Sequence, residues 1–204
     1  HRNSTHLLME LLDRTGVQAF VGKVNMDRNS PPDLCEKTEA SIEDTELWIQ
    51  ECTGRYQNIR PILTPRFVPS CSDVLMNALG RLAERYQLPV QSHLCENHSE
   101  IEWVRSLCPG AGSYANAYAR WGLFGDTPTV MAHCIHCTDD ELDLMRVNGV
   151  FAAHCPESNM NLSSGIAPVR KPLQSGIPTG LGTDIAGGSR LSIFPATAQA
   201  IQNS

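Results

Sequence analysis

Long apolar runs are absent from this 204-residue chain. None approaches the roughly 20 residues that span a bilayer, so no membrane partner is expected. Basic charge is also short: 16 Lys and Arg stand against 22 Asp and Glu, for a net charge of -6. With no basic stripe to neutralise phosphates, nucleic acid is excluded as a partner. The amino-terminal His1-Arg2-Asn3-Ser4-Thr5-His6 lacks the apolar core of a secretory signal. No Gly-x-Gly-x-x-Gly or Walker sequence occurs, so Gly187-Gly188 does not read as a phosphate loop. Low-complexity tracts and domain-scale linkers are lacking too, which leaves one domain with a sizeable core.

Cysteine, by contrast, is plentiful, with eight residues. A chain of this length builds a core without staples, and the spacing is not that of a disulfide framework. Reduced thiols and a cytoplasmic location are expected. Cys134-Ile135-His136-Cys137 invites a zinc-knuckle reading. Structural zinc sites need a second ligand pair at characteristic distance, and Cys95, Cys108 and Cys155 stand isolated in the sequence, so no structural zinc is expected.

The pattern of apolar residues alternates between strand and helix periods. Strands are expected at 19–24, 59–67, 90–94, 129–133, 150–153 and 179–182. Helices are expected at 7–14, 41–52, 72–86, 98–107, 138–147 and 165–174, with a last one opening at 191. Ser72 is the expected cap of the clearest helix, with Val74, Leu75, Leu79 and Leu82 on one side; Thr138 with Glu141 forms a capping pair, and Ser4 or Thr5 would cap the first helix. About six βα units imply a parallel sheet covered by helices. An open doubly wound sheet and a (β/α)8 barrel short of two units both fit.

Several of these strands end in residues that bind metals or move protons. Active sites of parallel-strand enzymes lie at the carboxyl ends of strands. Ser92-His93-Leu94-Cys95-Glu96 places an imidazole and a carboxylate three residues apart, a metal ligand and a proton shuttle. His133 ends the next strand in Val130-Met131-Ala132-His133. Asp184 ends Gly180-Leu181-Gly182-Thr183-Asp184, where it can hold a metal or accept a proton; it also suits a turn or a helix cap. Arg66-Phe67 offers a planar donor fork beside a flat apolar face, suited to a carbonyl-bearing heterocycle, and equally reads as a surface Arg beside a core Phe. His154-Cys155-Pro156-Glu157-Ser158-Asn159 shapes the mouth of the site without a chemical step. His1, His6, His98 and His136 are expected to be solvent-exposed or locally bonded.

Taken together, Thr64-Pro65-Arg66-Phe67, Gln91 to Asn97, Val130 to His133, Ala153 to Asn159 and Gly180 to Gly188 resemble the amidohydrolase superfamily, and within it the guanine-deaminating family. Phe20-Val21-Gly22-Lys23-Val24 with Met26-Asp27 fits the same resemblance, which covers essentially the whole chain. It implies an α/β fold, a (β/α)8 TIM barrel of the amidohydrolase type, incomplete here: residues 1–204 would form a partial barrel domain with the first strands missing. It implies zinc-dependent hydrolysis of guanine to xanthine and ammonia, with one Zn2+ per site held by His93 and Asp184. Glu96 would carry protons, and His133 would orient or polarise the water, with Asp184 also serving catalysis. Guanine would be bound by Arg66 and Phe67, with His93, Glu96 and Asp184 bordering it. A homodimer of the whole enzyme is implied.

One departure stands against these agreements. The family's zinc site also uses a His-x-His pair at the end of its first strand, and no His-x-His occurs here. The family's terminal sandwich elements are missing as well. The chain is therefore expected to be a fragment, inactive alone. The alternatives are a related deaminase or chlorohydrolase acting on another amino-heterocycle, and a non-catalytic truncated product.

Overall fold

The strongest local signals in the sequence become helix ends in the computed structural model, which describes residues 1–204. Helix α3 (Asp73–Tyr86) is capped by Ser72, whose Oγ accepts from Leu75 N at 3.2 Å. Helix α6 (Asp139–Val147) carries a full capping box between Thr138 and Glu141, and α4 (His98–Leu107) carries one between Asn97 and Glu100. Each cap satisfies amide groups that the helix itself leaves unpaired.

Strand positions follow the chain in order. The first runs through β1 (Ala19–Val21) and β2 (Val24–Asn25), the second through β3 (Ile59–Pro61) and β4 (Thr64–Pro65), interrupted where prolines and Gly22 disturb regular pairing. Then come β5 (Val90–Leu94), β6 (Thr129–His133), β7 (Phe151–His154) and β8 (Thr179–Leu181). All pairings are parallel: β1 with β3, β2 with β4, and β5-β6-β7-β8 in one sheet. A bridge from Leu63 to Val90 joins the second strand position to β5. Neighbours in space are thus neighbours in sequence throughout. A doubly wound sheet reverses its order at a switch point; this one does not, and its order is that of a barrel wall.

Helix α1 (Arg2–Thr15) precedes the first strand, and α2 (Thr38–Cys52), α3, α4, α5 (Tyr114–Ala119) and α6 lie in the connections between strand positions as far as β7. The core they enclose includes Trp48, Leu63, Leu75, Leu79, Leu94, Tyr118 and Met131, all fully or almost fully buried. Side chains of this kind stabilise by about 1.5–3 kcal/mol each on burial. All eight cysteines are free thiols, and no helix is long and apolar enough to cross a membrane.

Four sequence expectations need correction. Helix α1 begins at Arg2, and the Ser4 and Thr5 hydroxyls donate to His1 O at 2.8 and 3.0 Å instead of capping. Val74 is exposed, whereas Leu75 and Leu79 face the core. The helix expected over 165–174 is only α8 (Arg170–Gln174), because Pro168 disfavours helix at Ala167 and Gly165 sits at φ 126. Two short helices, α5 and α7 (Pro156–Asn161), were not expected; their runs of six residues are too short to show a period. The last helix, α9, spans Ile193–Gln202.

Candidate active site

The named strand-end residues meet at the carboxyl ends of the sheet. On β5, the side chains of Val90, Ser92 and Leu94 are buried in the helix-covered core, which turns His93 to the opposite face. His93 Nδ1 lies 2.6 Å from Arg66 O, so that nitrogen donates its proton and Nε2 is left with its lone pair. Below the ring, Tyr118 Oη donates to His93 O at 2.9 Å and shares a 2.7 Å hydrogen bond with Ser92 Oγ. Burial pushes the His93 imidazole below its ordinary pKa, and the neighbouring His133 adds to the effect. A neutral imidazole is the form that binds metals.

His133 pairs in register with Leu94, whose side chain is in the core, yet its ring stacks on that of His93 with centroids 5.3 Å apart. A left-handed φ of 71 at His133 accompanies that turn of the ring. Its Nδ1 stands 2.8 Å from the Asn159 Oδ1 acceptor, so Nε2 is the nitrogen that faces Glu96 Oε2, at 3.8 Å. Glu96 is held from the other side by Ser164 Oγ, which donates to Oε1 at 2.9 Å. Glu100 Oε2 accepts from the Glu96 and Asn97 amides at 3.1 and 3.4 Å and so pins the loop that carries Glu96.

Asp184 follows β8 in a tight turn with φ 44. Ser158 Oγ donates to its Oδ2 at 2.5 Å. A Cβ on Gly187 would stand 2.5 Å from Ser158 Oγ and 2.8 Å from Asp184 Oδ2, so a larger residue there would have to displace the Ser158–Asp184 pair. Left-handed residues without a glycine's freedom (Cys95, His133, Cys134 and Asp184) recur at these strand ends. Such backbone persists where surrounding packing over-determines it, and it clusters at functional sites.

Arg66 and Phe67 leave β4 beside His93. The Arg66 guanidinium lies 5.7 Å from the Phe67 ring centre, and Phe67 meets both His93 and Trp103 edge-on at 6.3 Å. Phe67, Glu96, Asn97, Ser99, Glu100 and Trp103 line a cleft of about 340 Å³. A larger cleft of about 460 Å³, lined among others by Gly80, Gln87 and Thr127, opens at the other end of the strands, away from these groups.

Phe67, His93, Glu96 and His133 are therefore brought into one cluster, with Asp184 tied to its edge through Ser158; Arg66 joins it by its backbone carbonyl on His93, its guanidinium lying exposed beside Phe67. Sequence reasoning missed the residues that hold them: Ser158 and Asn159, taken only as part of the mouth, and Glu100, Trp103, Tyr118 and Ser164. Glu100 was legible as a capping-box partner of Asn97; Tyr118 and Ser164 act across long sequence separations that no local pattern reveals. His154 is buried with both ring nitrogens unpartnered, and burial, with His133 beside it, lowers its pKa. His136 and His98, read as exposed or locally bonded, have their ring centroids 4.0 Å apart at a 34° tilt, with His136 Nε2 2.8 Å from Ser164 O. Cys95 is not isolated in space: its Sγ, that of Cys137 and a Glu141 carboxylate oxygen all lie within 4.8 Å of one another.

Known proteins resemble this chain in sequence and fold. A family model described as the amidohydrolase family matches residues 1–203. The guanine deaminase of Dictyostelium discoideum is 44% identical over 203 residues, a match covering 99% of this chain and 45% of that protein. That of Rattus norvegicus is 42% identical over 203 residues, covering 98% and 44%. A solved guanine deaminase from C. acetobutylicum, with guanine bound in its active site, superposes with a TM-score of 0.97 at 50% identity, covering 100% of this chain and 49% of that one. The chain spans about half the length of the curated relatives it matches. With its sequential parallel strands, its strand-end His, Glu and Asp, and a match running from its first residue to its 203rd, the chain belongs to the amidohydrolase family.

Proposed function

We propose that this chain contributes the substrate-side half of a zinc-dependent guanine deaminase, which hydrolyses guanine to xanthine and ammonia. The observation that carries the reading is Phe67, whose ring meets His93 edge-on and lines one cleft with Glu96. A flat apolar face there borders an imidazole and a carboxylate suited to hydrolysis, and the exposed Arg66 guanidinium, 5.7 Å from that ring, is the donor fork next to it. The likeness over the full chain to a guanine deaminase with guanine bound supports it.

The donors present fit zinc. His93 has its Nδ1 proton committed to Arg66 O and its Nε2 lone pair free, and Asp184 offers a carboxylate held by Ser158. When bound, zinc supplies Lewis acidity that brings the pKa of water to about 7. Glu96 takes a proton from the attacking water and delivers protons to a ring nitrogen and to the departing amine, so that water and guanine become xanthine and ammonia. His133, its Nδ1 fixed by Asn159, presents Nε2 to the same water and to Glu96 and sets their orientation. Arg66 donates to the carbonyl and ring-nitrogen edge of the purine, while Phe67 and Trp103 wall off the ring. The enzyme acts as a homodimer with one zinc per site.

A substrate panel tests the reading. In the enzyme, guanine is the preferred substrate over other amino- and chloro-heterocycles, and Arg66→Ala lowers kcat/KM for guanine by about 100-fold, or about 2.7 kcal/mol. A preference for another heterocycle, with Arg66→Ala indifferent, would instead assign the site to a related deaminase or chlorohydrolase.

A further inference from the structure

The thiols that sequence spacing scattered form a second group of metal donors. Cys95 comes from the turn after β5, Cys134 and Cys137 from the turn after β6, and Glu141 from the first turn of α6. The sulfurs of Cys95 and Cys137 and a Glu141 oxygen lie within 4.8 Å of one another. Cys95 is fully buried, Glu141 is 4% exposed and Cys137 is half-buried, so the group is closed except on the Cys137 side. Left-handed backbone at Cys95 (φ 50) and Cys134 (φ 51) curls both turns around it.

Charge argues for a cation at this place. Glu141 Oε1 accepts from the Tyr114 and Ala115 amides at 3.1 and 3.2 Å, and Oε2 from Thr138 N at 3.0 Å and Thr138 Oγ1 at 3.1 Å. These donors are all neutral. Cys95 Sγ approaches the same carboxylate at 3.6 and 3.7 Å. A buried carboxylate thus sits beside two thiols with only neutral donors around it and no cationic side chain, so a cation bound there would neutralise a charge that is costly to bury.

We propose that Cys95, Cys137 and Glu141 bind a thiophilic divalent cation, of which zinc is the biological member, at a structural site distinct from His93 and Asp184. Cys134, three residues before Cys137 in the same turn, is a candidate donor for a fourth, tetrahedral position. Each thiol that binds gives its proton to solvent, and no oxidant is involved. The site locks the β5 turn to the β6 turn just behind Glu96 and His133. It does not rest on the guanine reading, since none of its donors serves there.

Cobalt(II) is the probe. Added to the reduced, metal-free protein, it gives a near-ultraviolet sulfur-to-cobalt charge-transfer band that zinc displaces. The band is lost in Cys137→Ser and kept in His93→Ala, which removes the other site's ligand. In the wild-type protein, zinc also slows alkylation of Cys137 at least tenfold, read by mass spectrometry with Cys35 as the unaffected internal control; this arm needs no variant to fold. No band in the wild type, a band that survives Cys137→Ser, or alkylation of Cys137 at one rate with and without zinc would overturn the site, while its failure would leave the guanine reading untouched.

Discussion

His93 and Asp184, the two proposed metal ligands, rest on unlike supports. β5 is bonded on both sides, to the β3–β4 course and to β6, and three of its five side chains are buried. β8 has β7 as its sole strand partner, and its Gly180 and Leu181 are exposed. Leu191 and, in helix α9, Phe194 are both 81% exposed in this chain, whereas the residues flanking His93 on β5 are buried. The difference teaches how each ligand is placed. His93 is set by core packing and strand register. Asp184 is set by short polar contacts: Ser158 on its carboxylate, and the Gly187 and Gly188 amides on its own carbonyl at 3.0 and 2.6 Å.

The largest effect belongs to the well-supported side. Glu96→Gln keeps the shape and the Ser164 contact but removes the proton carrier. Turnover in the enzyme is expected to fall by about 10³, equivalent to about 4 kcal/mol, with zinc content unchanged by metal analysis. Loss of zinc with activity would show that Glu96 holds the metal site rather than moving protons. Next comes a direct contrast between the two strands. Leu94→Ala leaves a cavity under β5 and is expected to cost about 3 kcal/mol, whereas Leu181→Ala, on the exposed β8, costs less than about 1 kcal/mol. Urea unfolding of both variants reads the gap; equal losses would mean that β8 is as firmly packed as β5.

That contrast also marks what could be read from sequence. β5, β6, α3, α4 and α6 are legible because a buried strand or an amphipathic helix writes its period into the residues, and Ser72 and Thr138 announce helix starts. His93, Glu96, His133 and Asp184 are legible because they punctuate strand ends. The supporting shell is not. Ser164 reaches Glu96 across 68 residues, and Asn159 reaches His133 across 26, so only the fold brings them together. The thiol group is hidden for the same reason: the donor that completes Cys134-x-x-Cys137 comes from a different strand end.

The Asp184 side is tested by smaller changes. Ser158→Ala removes the only side-chain hydrogen bond to the Asp184 carboxylate and leaves the core intact. A charge-assisted hydrogen bond of this kind is worth about 1.5–3 kcal/mol. In the enzyme, zinc affinity is expected to fall by about tenfold, and stability measured by urea by about 1.5–3 kcal/mol. An equal change in metal affinity from Tyr118→Phe, on the β5 side, would erase the distinction between the two supports.

The smallest effect is on pH. His154, at the end of β7 between the two supports, is buried with no partner for either nitrogen, and burial and His133 lower its pKa from the ordinary 6.5. Above that value the imidazole is neutral in both folded and unfolded chains and contributes no pH dependence. Below it the unfolded chain takes up the proton first, so stability falls with falling pH until the depressed folded pKa is reached. His93 is shifted in the same direction and adds to the slope. The urea midpoint of the metal-free protein should therefore drop between about pH 7 and about pH 5, and His154→Phe should flatten part of that drop. A His154→Phe profile parallel to wild type would mean that the His154 ring is solvated when the chain is folded and that the middle of the sheet is wetter than its burial implies.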